Sequence, residues 1–431
     1  MSALARYFLW LGKDVSGYDR TATPLTSKLE EEGVKVNYTD VEAAVPQTVD
    51  LVIYTPAIPQ DNIQFEILKN RGALLLKRSE VLEMLTKKYK VIAIAGTHGK
   101  TTVTSMLSHI FKETGMEFMS FIGGIPVNYN TNFLVSAKPQ WVIVEADEYD
   151  RSFLKLQPDI ALITSMDADH LDVYGDMSQM LESFQIFARN IKRDGTLIVR
   201  SDLKFFVTSD MHHITYGLEQ KTDFTATGIR YKDGNLSCTF HWNTSNIGVT
   251  FAAAGKHNLE NALAAFSIAV LAKINPEKIV FALKSFKGVK RRFEKVLDTS
   301  EVVYIDDYAH HPEELKACIT STREMYPGRK ITGIFQPHLF SRTRDLAVEF
   351  GRALSLLDVV VVMDIYPARE LPVPGVDAHT ILKHIQITEK YHIRDNDLLH
   401  WLSQQKCDVL LTLGAGNIDR FVEPVKDLLQ K

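Results

Sequence analysis

The sequence has little cysteine and no long apolar run, and each absence excludes a class of protein. Its 431 residues include only 3 cysteines. These are far apart and lack metal-type spacing, so a disulfide scaffold is excluded and buried, reduced thiols are expected. No stretch reaches the roughly 18 apolar residues that a membrane helix needs, and the N-terminus becomes polar too soon for a secretory signal. We therefore expect a cytoplasmic protein that does not bind membranes.

Strong charge of one sign is also missing. The formal net charge is −4, and there is no basic tract, acidic tail or low-complexity run, so no nucleic-acid partner is expected. Hydrophobic residues make up 45% and charged residues 24%, as in ordinary globular proteins. At about 100–200 residues per domain, a chain of this length predicts two to four domains.

Strands and helices alternate along the N-terminal third. Leu4, Phe8 and Leu11 have helical spacing, and Thr23 and Ser79 stand at predicted helix starts. Strands are predicted at VSGYD, VKVNY, VDLVIYT and ALLLK. This alternation predicts a parallel, doubly wound sheet of the Rossmann type.

The first element of such a unit is not found at the start of the sequence. A dinucleotide-type unit begins with a strand and a glycine-rich turn, whereas this sequence begins on the helix that follows them. Asp19 stands where the acidic residue of the second strand is expected. We interpret this as a start codon placed inside the gene, with roughly 15–20 residues missing, the usual length of one strand and a loop. The alternative is a chain that is truly shorter.

The segment GTHGKTT, after a continuous apolar strand and before an apolar-periodic helix, is the strongest local signal. Gly96 and Gly99 allow a tight turn in which backbone N–H groups converge on phosphate oxygens. Lys100 can neutralise phosphate charge, and the Thr101 hydroxyl can ligate Mg²⁺. The common P-loop has a further glycine where this chain has Ile94. A glycine-rich turn without a ligand is the alternative.

Acidic residues and one histidine follow the next two predicted strands. Glu145 begins the run EADE at the end of one strand, and His170 lies within DADHLD after the other. Taken alone, the acids could form a solvated turn and the histidine a hydrogen-bonded surface group. Because both follow strand ends after a phosphate loop, their joint position favours a divalent metal site.

These segments carry a family resemblance. GTHGKTT, VEADEYDRSFL and DADHLDVYG resemble the central ATPase domain of the Mur ligases. FAAAGKHNLENALAA is similar to the GxHNxxNAxAA segment of that family. KRRFE at 290–294 and DDYAHHP at 306–312 resemble its hinge and its C-terminal signature. The resemblance extends over the chain from residue 1 to residue 431.

The resemblance implies an α/β fold with three domains. These are a Rossmann-like UDP-substrate domain at 1–88, with the truncated start described above, and a central P-loop ATP-binding domain with a mostly parallel sheet at 89–295. A Rossmann-like domain at 296–431 would close over the nucleotide and bind the amino acid. Within it, the loop Gly414-Ala415-Gly416 is either a packing turn or a phosphate-type loop.

The implied activity is ATP-dependent joining of a carboxylate to an amine through an acyl phosphate. DDYAHHP with FQPHLFSRTRD is similar to the member that adds L-alanine to UDP-N-acetylmuramate, so these are the implied substrates. A murein-peptide-recycling ligase is the alternative within the family. The chain is expected to be a monomer or a weak homodimer.

ATP and Mg²⁺ are the implied cofactors, and the implied site residues fall into sets. The catalytic residues would be Lys100, Glu145, His170 and Arg292. The nucleotide would be bound by Gly96, Thr97, His98, Gly99, Lys100, Thr101, Thr102, His257, Asn261, Arg292 and Asp307. Metal ions would be held by Thr101, Glu145 and His170. The two substrates would be bound by Asp19, Thr55, His310, His338 and Arg342. Many relatives carry arginine where this chain has Leu339, which puts part of the amino-acid site in doubt.

Two other classes of protein remain as alternatives. A P-loop kinase or GTPase-like switch needs only the phosphate loop and leaves DDYAHHP and KRRFE unexplained. A non-catalytic UDP-sugar binder or inactive paralogue fits the truncated start, whereas the phosphate loop and the metal-ligand set argue against it.

Overall fold

Short strands and helices alternate in the N-terminal part of the computed structural model, as the sequence predicts. The structure describes all residues except 56–57, 60, 149–150, 168–173, 175, 208–211, 233–234, 252–254, 369 and 431. The strands are β1 (Ser16–Tyr18), β2 (Lys35–Asn37), β3 (Val52–Tyr54) and β4 (Leu75–Lys77). The helices are α1 (Ser2–Trp10), α2 (Pro24–Glu31), α3 (Ile63–Asn70) and α4 (Arg78–Thr86). β1 pairs in parallel with β2, and β3 with β4, as two separate sheets rather than one continuous sheet.

The predicted helix starts are confirmed at Thr23 and wrong at Ser79. The Thr23 hydroxyl accepts a hydrogen bond from the Thr26 backbone N–H, and Pro24 occupies the first helical position. Helix α4 instead begins at Arg78, because the Glu80 carboxylate accepts the Lys77 N–H at 2.7 Å.

A ten-stranded sheet forms the centre of the molecule. Its strands are β5 (Lys90–Ala95), β6 (Phe118–Phe121), β7 (Phe133–Val135), β8 (Trp141–Glu145), β9 (Ile160–Ile163), β10 (Thr196–Arg200), β11 (His213–Leu218), β12 (Phe224–Lys232), β13 (Asn235–Trp242) and β14 (Ser245–Phe251). Their order across the sheet is β14-β13-β12-β11-β10-β9-β5-β8-β6-β7. In this spatial order, every neighbouring pair from β12 across to β6 is parallel. The mostly parallel central sheet is thereby confirmed.

Between Phe206 and Val249 the sequence has strand-like segments with turns at Asp233-Gly234 and Asn243, which predicts an antiparallel edge, and the structure confirms this only in part. β12, β13 and β14 are antiparallel, with Asn243 at a left-handed φ of 49° in one of their turns. β11, however, pairs in parallel with both β10 and β12. The other predicted turn, Asp233-Gly234, lies outside the described residues.

Helices cover both faces of this sheet. They are α5 (Lys100–Glu113), α6 (Met177–Arg189), α7 (Gly255–Leu271) and α8 (Pro276–Ser285). One apolar core joins α5, α7 and α8 to one face, and a second joins α6 to the other. With both faces covered, the inner strands are continuously apolar, as in β5 and β9.

The C-terminal part contains a six-stranded sheet of its own. Its strands are β15 (Glu294–Asp298), β16 (Val303–Asp307), β17 (Ile331–Phe335), β18 (Val359–Val362), β19 (Lys390–His392) and β20 (Val409–Leu413), in the order β15-β16-β20-β17-β18-β19. Its helices are α9 (Pro312–Met325), α10 (Phe340–Asp345), α11 (Ala347–Leu354), α12 (His379–Leu382), α13 (Leu398–Ser403) and α14 (Val422–Leu429). All pairs except β15–β16 are parallel, which fits the Rossmann-like expectation.

Helix α1 packs on the central sheet as well as on its own unit. Leu4 and Tyr7 are buried in the same core as Phe121 and Phe133 of β6 and β7. Arg6 is also buried and donates to the Asn132 side chain at 2.5 Å, while it pairs with Glu32 at 2.6 Å. This arginine therefore ties α1 to both the N-terminal unit and the central sheet.

Helix length and composition bear on the membrane question. Among the residues that the structure describes, none of the helices is both long enough and apolar enough to cross a membrane.

Replacing Arg6 with alanine should loosen α1. The change leaves Glu32 and Asn132 without their buried partner, which we expect to cost roughly 1–3 kcal/mol of local stability. Amide hydrogen exchange over residues 2–10 measures this directly. Lys28→Ala removes the exposed Lys28–Glu31 pair and is the matched control, since such pairs contribute at most about 1 kcal/mol. Equal exchange in both variants would contradict the assignment.

Candidate active site

The phosphate loop is held in place by the residues that follow β9. The Thr97 N–H donates to the Ser165 carbonyl at 3.1 Å, and the His98 N–H donates to the Ser165 hydroxyl at 2.8 Å. The Thr164 hydroxyl donates to the His98 carbonyl. Gly96 has a φ of 127°, and a Cβ there would lie 2.8 Å from the Ser165 nitrogen. These bonds within the protein hold the loop in place, and only glycine fits at position 96.

The second loop glycine lies against helix α7. Gly99 has a φ of 83° and precedes the first turn of α5, which contains Lys100, Thr101 and Thr102. A Cβ at Gly99 would lie 2.6 Å from the Asn261 side-chain oxygen. Asn261, a predicted nucleotide-binding residue, is therefore brought directly to the loop.

The Lys100 ammonium is engaged by a buried carboxylate. It donates to both Glu148 oxygens, at 2.7 and 2.8 Å, and to the Gly96 carbonyl at 2.6 Å. The Glu148 side chain is only 1% exposed. Burial raises the pKa of Glu148, against the opposing charge of Lys100. An uncompensated carboxylate would be costly here, so Lys100 and Glu148 stabilise one another.

Glu145 lies beside the predicted metal-binding threonine. Its carboxylate accepts from the Thr101 hydroxyl at 3.0 Å and from the Gly123 N–H at 2.5 Å. Burial raises the pKa of Glu145, while the Gly123 N–H and Lys100 oppose the shift. A hydroxyl and a carboxylate at the end of a phosphate loop form the donor set that suits Mg²⁺.

The third predicted metal ligand, His170, lies outside the described residues, together with Asp169 and Asp172. Within the described part of the chain, no three histidine, cysteine or acidic side chains cluster as metal ligands. Two of the three predicted metal ligands, Thr101 and Glu145, are therefore within the described residues.

A short connection joins the central sheet to the C-terminal sheet. Its first half is bonded to the central part: the Lys290 N–H donates to the Ile125 carbonyl at 2.9 Å, and the Gly288 carbonyl accepts from Val127 at 3.0 Å. Its second half is bonded to the C-terminal part, where the Arg291 carbonyl accepts the Tyr308 N–H at 2.7 Å. The change of partner falls between residues 290 and 291.

The Arg291 side chain lies against the loop at Gly414–Gly416, which the sequence predicts to be either a packing turn or a phosphate-type loop. Its guanidinium donates to the carbonyl oxygens of both glycines, at 2.5 and 3.3 Å. It also lies 3.4 Å from the buried Asp306 carboxylate. Two carbonyl groups of the loop therefore face a cation within the protein, which favours the packing turn.

Arg292 and Asp307 lie close to the same connection. Arg292 lies over the Tyr308 ring, 4.9 Å from its centre. The Asp307 carboxylate accepts the Phe293 N–H at 2.6 Å and the Ala309 N–H at 2.7 Å. Burial raises the pKa of Asp307 to about 6, while Arg292 and these N–H groups oppose the shift. Asp307 thus holds the connection and the DDYAHHP turn, and its contact with nucleotide stays a prediction.

His257 lies where α7 meets the C-terminal part. Its ring nitrogen is 3.4 Å from the Ser321 hydroxyl of α9, and its ring centre is 6.2 Å from that of Phe293. Burial lowers the pKa of His257 to about 4, so the ring is neutral near pH 7. A neutral ring at this junction is compatible with its predicted place beside the nucleotide.

The three residues predicted to bind the amino acid come together. The rings of His310 and His338 lie 6.0 Å apart, and His338 stacks on Tyr366 at 5.8 Å. Burial lowers the pKa of His310, and the positive charge of Arg342 acts in the same direction. The Nη1 atom of Arg342 is buried and has no hydrogen-bond partner among the described residues. A buried guanidinium donor without a partner is suited to receive a carboxylate.

Leu339 has an unusual backbone between these residues. Its φ of 71° and ψ of 137° are values that side-chain-bearing residues rarely adopt. Its N–H donates to the Tyr366 carbonyl at 3.0 Å, which helps to hold this conformation. Strained backbone is typical of functional sites, and here it separates His338 from Arg342.

Asp19 and Thr55 follow the ends of β1 and β3. The Asp19 carboxylate accepts the Thr21 N–H at 3.0 Å, and the Thr55 carbonyl accepts the Ile58 N–H at 3.2 Å. The two residues follow strands of separate sheets. Both lie at carboxyl ends of parallel strands, where ligands commonly bind in such folds.

Sequence reasoning missed several residues that shape this site. Glu148 was seen only as part of an acidic run, although it engages Lys100. Ser165 carried a signal, since it follows the strand beside the phosphate-loop strand. Gly123 carried a weaker one, as half of a Gly-Gly pair after β6, and a Cβ there would lie 2.5 Å from the Glu145 carboxylate.

Comparison with known proteins identifies the family. The Mur ligase family catalytic domain matches residues 1–90, the Mur ligase middle domain matches residues 94–269, and the Mur ligase glutamate ligase domain matches residues 291–416. Two of the relatives described next are at least 44% identical to this chain over its whole length. The chain therefore belongs to the Mur ligase family, as its motifs predicted.

The similar relatives share one name. The chain is 44% identical to a UDP-N-acetylmuramate–L-alanine ligase of Cytophaga hutchinsonii, over 100% of this chain and 95% of that one. It is 45% identical to the ligase of the same name from Porphyromonas gingivalis, over 100% and 96%. A crystal structure of the Thermotoga maritima UDP-N-acetylmuramate–alanine ligase matches with a TM-score of 0.86 and 27% identity, over 100% and 96%.

Gly123→Ala should weaken the predicted metal site. The added Cβ must displace the Glu145 carboxylate, which would lie 2.5 Å away. We expect Mg²⁺-dependent binding of ATP to fall by roughly 10- to 100-fold, as when a group that orients a metal ligand is lost. Isothermal titration with and without Mg²⁺ measures this. Gly248→Ala is the control, because no atom lies within 4 Å of its Cβ position. Unchanged Mg²⁺ dependence in Gly123→Ala would remove Glu145 from the metal site.

Proposed function

We propose that the protein joins L-alanine to the lactyl carboxylate of UDP-N-acetylmuramate and converts ATP to ADP and phosphate. The observation that carries this proposal is full-length similarity, at 44% and 45% identity, to two ligases named for this reaction. The phosphate loop would bind the triphosphate. Arg342, with His310 and His338 beside it, would bind the amino-acid carboxylate.

The first step is transfer of the γ-phosphoryl group. A carboxylate oxygen of the sugar substrate attacks the γ-phosphorus of ATP, the bond to the β-phosphate oxygen breaks, and ADP leaves. Lys100 and the N–H groups at the start of α5 stabilise the negative charge that develops in this transfer. Thr101 and Glu145, with His170 as a further ligand, would hold Mg²⁺, which would supply additional charge stabilisation. The positive charge of Arg292 acts on the Glu145 carboxylate, so Arg292 would add to the positive charge around the transferred phosphoryl group.

The second step forms the amide. The alanine amine, after losing a proton, attacks the acyl carbon, and inorganic phosphate leaves as the new C–N bond forms. Arg342 would bind the alanine carboxylate with its unpartnered Nη1 donor, and His310 and His338 would line the pocket. The acyl phosphate is sensitive to water, so closure of the C-terminal unit over the loop protects it.

The remaining assignments belong to the same proposal. Asp19 and Thr55 would contact the UDP-substrate, and His257 and Asn261 the nucleotide base. Domain boundaries near residues 88 and 295 would separate the three units. The cytoplasmic location and the monomeric or weakly dimeric state stay predictions.

The alternative within the family is less favoured. A murein peptide ligase of Psychrobacter arcticus matches with a TM-score of 0.73 and 21% identity, which shows the fold alone. The T. maritima ligase matches better, with a TM-score of 0.86. L-Alanine is therefore preferred over a murein peptide as the amine substrate.

The test is ADP release by the purified protein with UDP-N-acetylmuramate, L-alanine, ATP and Mg²⁺. We expect turnover only when all four are present, together with an amide product of the corresponding mass. ADP release that needs the sugar nucleotide but prefers a murein tripeptide over L-alanine would support the recycling reaction instead. A phosphorylated product without an amide would support a kinase.

Lys100→Met should lower kcat by roughly 100-fold or more, as for other groups that stabilise transition-state charge. The variant leaves the buried Glu148 without its partner, so instability could imitate a catalytic defect. The double variant Lys100→Met with Glu148→Gln removes both charges and controls for this. A folded double variant with near-normal kcat would contradict the role of Lys100.

A further inference from the structure

Glu314 on helix α9 faces both parts of the proposed active site. Its Oε1 atom lies 3.4 Å from His98 Nδ1 in the phosphate loop. Its Oε2 atom lies 3.3 Å from His310 Nδ1, next to the proposed amino-acid pocket. One carboxylate thus connects the central sheet's nucleotide loop to the C-terminal unit.

Helix capping accounts for only one of the two oxygen atoms of the Glu314 carboxylate. The N–H groups of His310 and His311 donate to Oε2 at 3.0 and 3.1 Å, which caps the start of α9. Oε1 takes no part in these two bonds and points to a residue more than 200 positions earlier in the chain. Its neighbour Glu313, in contrast, is 72% exposed and pairs only weakly with Lys316 at 3.8 Å.

The surroundings keep the Glu314 carboxylate charged. Burial alone would raise the pKa of Glu314, but the hydrogen bond from His98, the charge of His310 and the His310 backbone N–H together hold it well below its usual range. A charged acceptor binds an imidazole N–H more strongly than a neutral one does. The carboxylate therefore lies against both histidine rings, and the Tyr308 carbonyl, 3.0 Å from His310 Nδ1, shares in holding the second ring.

His98 is fixed in the loop by its backbone as well as by its ring. Its N–H and carbonyl are bonded to Ser165 and Thr164, as described above. Its second ring nitrogen lies 3.5 Å from Asp167. Because His98 stands between the two loop glycines, any movement of the loop would also move the ring that lies against Glu314.

We propose that Glu314 is a positioning residue that couples the phosphate loop to the amino-acid pocket through His98 and His310. This inference rests on the proposed function for the identity of the amino acid, but not for the contact between the two units. With the loop occupied, Glu314 holds His310 in place for the incoming amine. Without Glu314, each pocket still binds its own ligand, but neither responds to the other.

The test compares Glu314→Gln with the matched control Glu313→Gln. Glutamine retains an oxygen that can cap α9, while the charge that His98 and His310 share is lost. In the wild type, a non-hydrolysable ATP analogue with Mg²⁺ should strengthen L-alanine binding by roughly 5- to 150-fold. Glu314→Gln should abolish most of this strengthening, whereas Glu313→Gln should leave it intact. His98→Gln should act like Glu314→Gln, and the double variant should add little further.

Hydrogen exchange gives a readout that does not depend on ligation. Glu314→Gln should increase exchange in residues 96–102 as well as in 308–315, whereas loss of the helix cap alone would affect only the second segment. If the wild type ligates L-alanine but Glu314→Gln matches Glu313→Gln in coupling and exchange, the inference is overturned and the proposed function stands. If the wild type does not ligate L-alanine, the proposed function fails, and the exchange of residues 96–102 still decides whether Glu314 couples the two units.

Discussion

Two carboxylates at the end of β8 are the constraint on which the site depends. Glu148 is buried and Glu145 is half-buried, and desolvation raises the pKa of each. Each is stabilised by the start of helix α5, Glu145 by the Thr101 hydroxyl and Glu148 by the Lys100 ammonium. The Lys100 ammonium and the Glu148 carboxylate would each be unfavourable in this place without the other. The loop and the end of the strand therefore depend on each other. The ten-stranded sheet brings them together by placing β5 directly beside β8.

Much of the fold follows from local patterns. Apolar runs such as β5 and β9 are buried on both faces of a sheet, so their composition alone identifies them. The short edge strands β15 and β19 were not predicted, because they contain charged residues and only three to five positions each. Ser79 is a favourable residue type at a helix start, but the observed start is one residue earlier and is stabilised by the Glu80 side chain.

The site could be predicted where a structural rule links positions in the sequence to positions in the fold. Thr101 and Glu145 were expected near one another because parallel strands end at one edge of a sheet, and their side chains are hydrogen-bonded. No such rule separates Glu145 from Glu148 within one acidic run. The contact between His98 and Glu314 depends on how two sheets pack, which no local pattern contains. His170 lies outside the described residues, so its role stays a prediction.

The connection between the sheets has a mechanical consequence. Its backbone changes partners between Lys290 and Arg291, which makes this single peptide the natural pivot. In any rotation, displacement grows with distance from the pivot. Arg292 is beside it, and β15 is the nearest strand, while β19 lies at the opposite edge of the six-stranded sheet. Neighbouring strands are spaced by about 4.8 Å, so a rotation about this peptide would displace β19 more than β15. Arg292, one residue from the pivot, would move least, and the far edge of the six-stranded sheet would move through the widest arc.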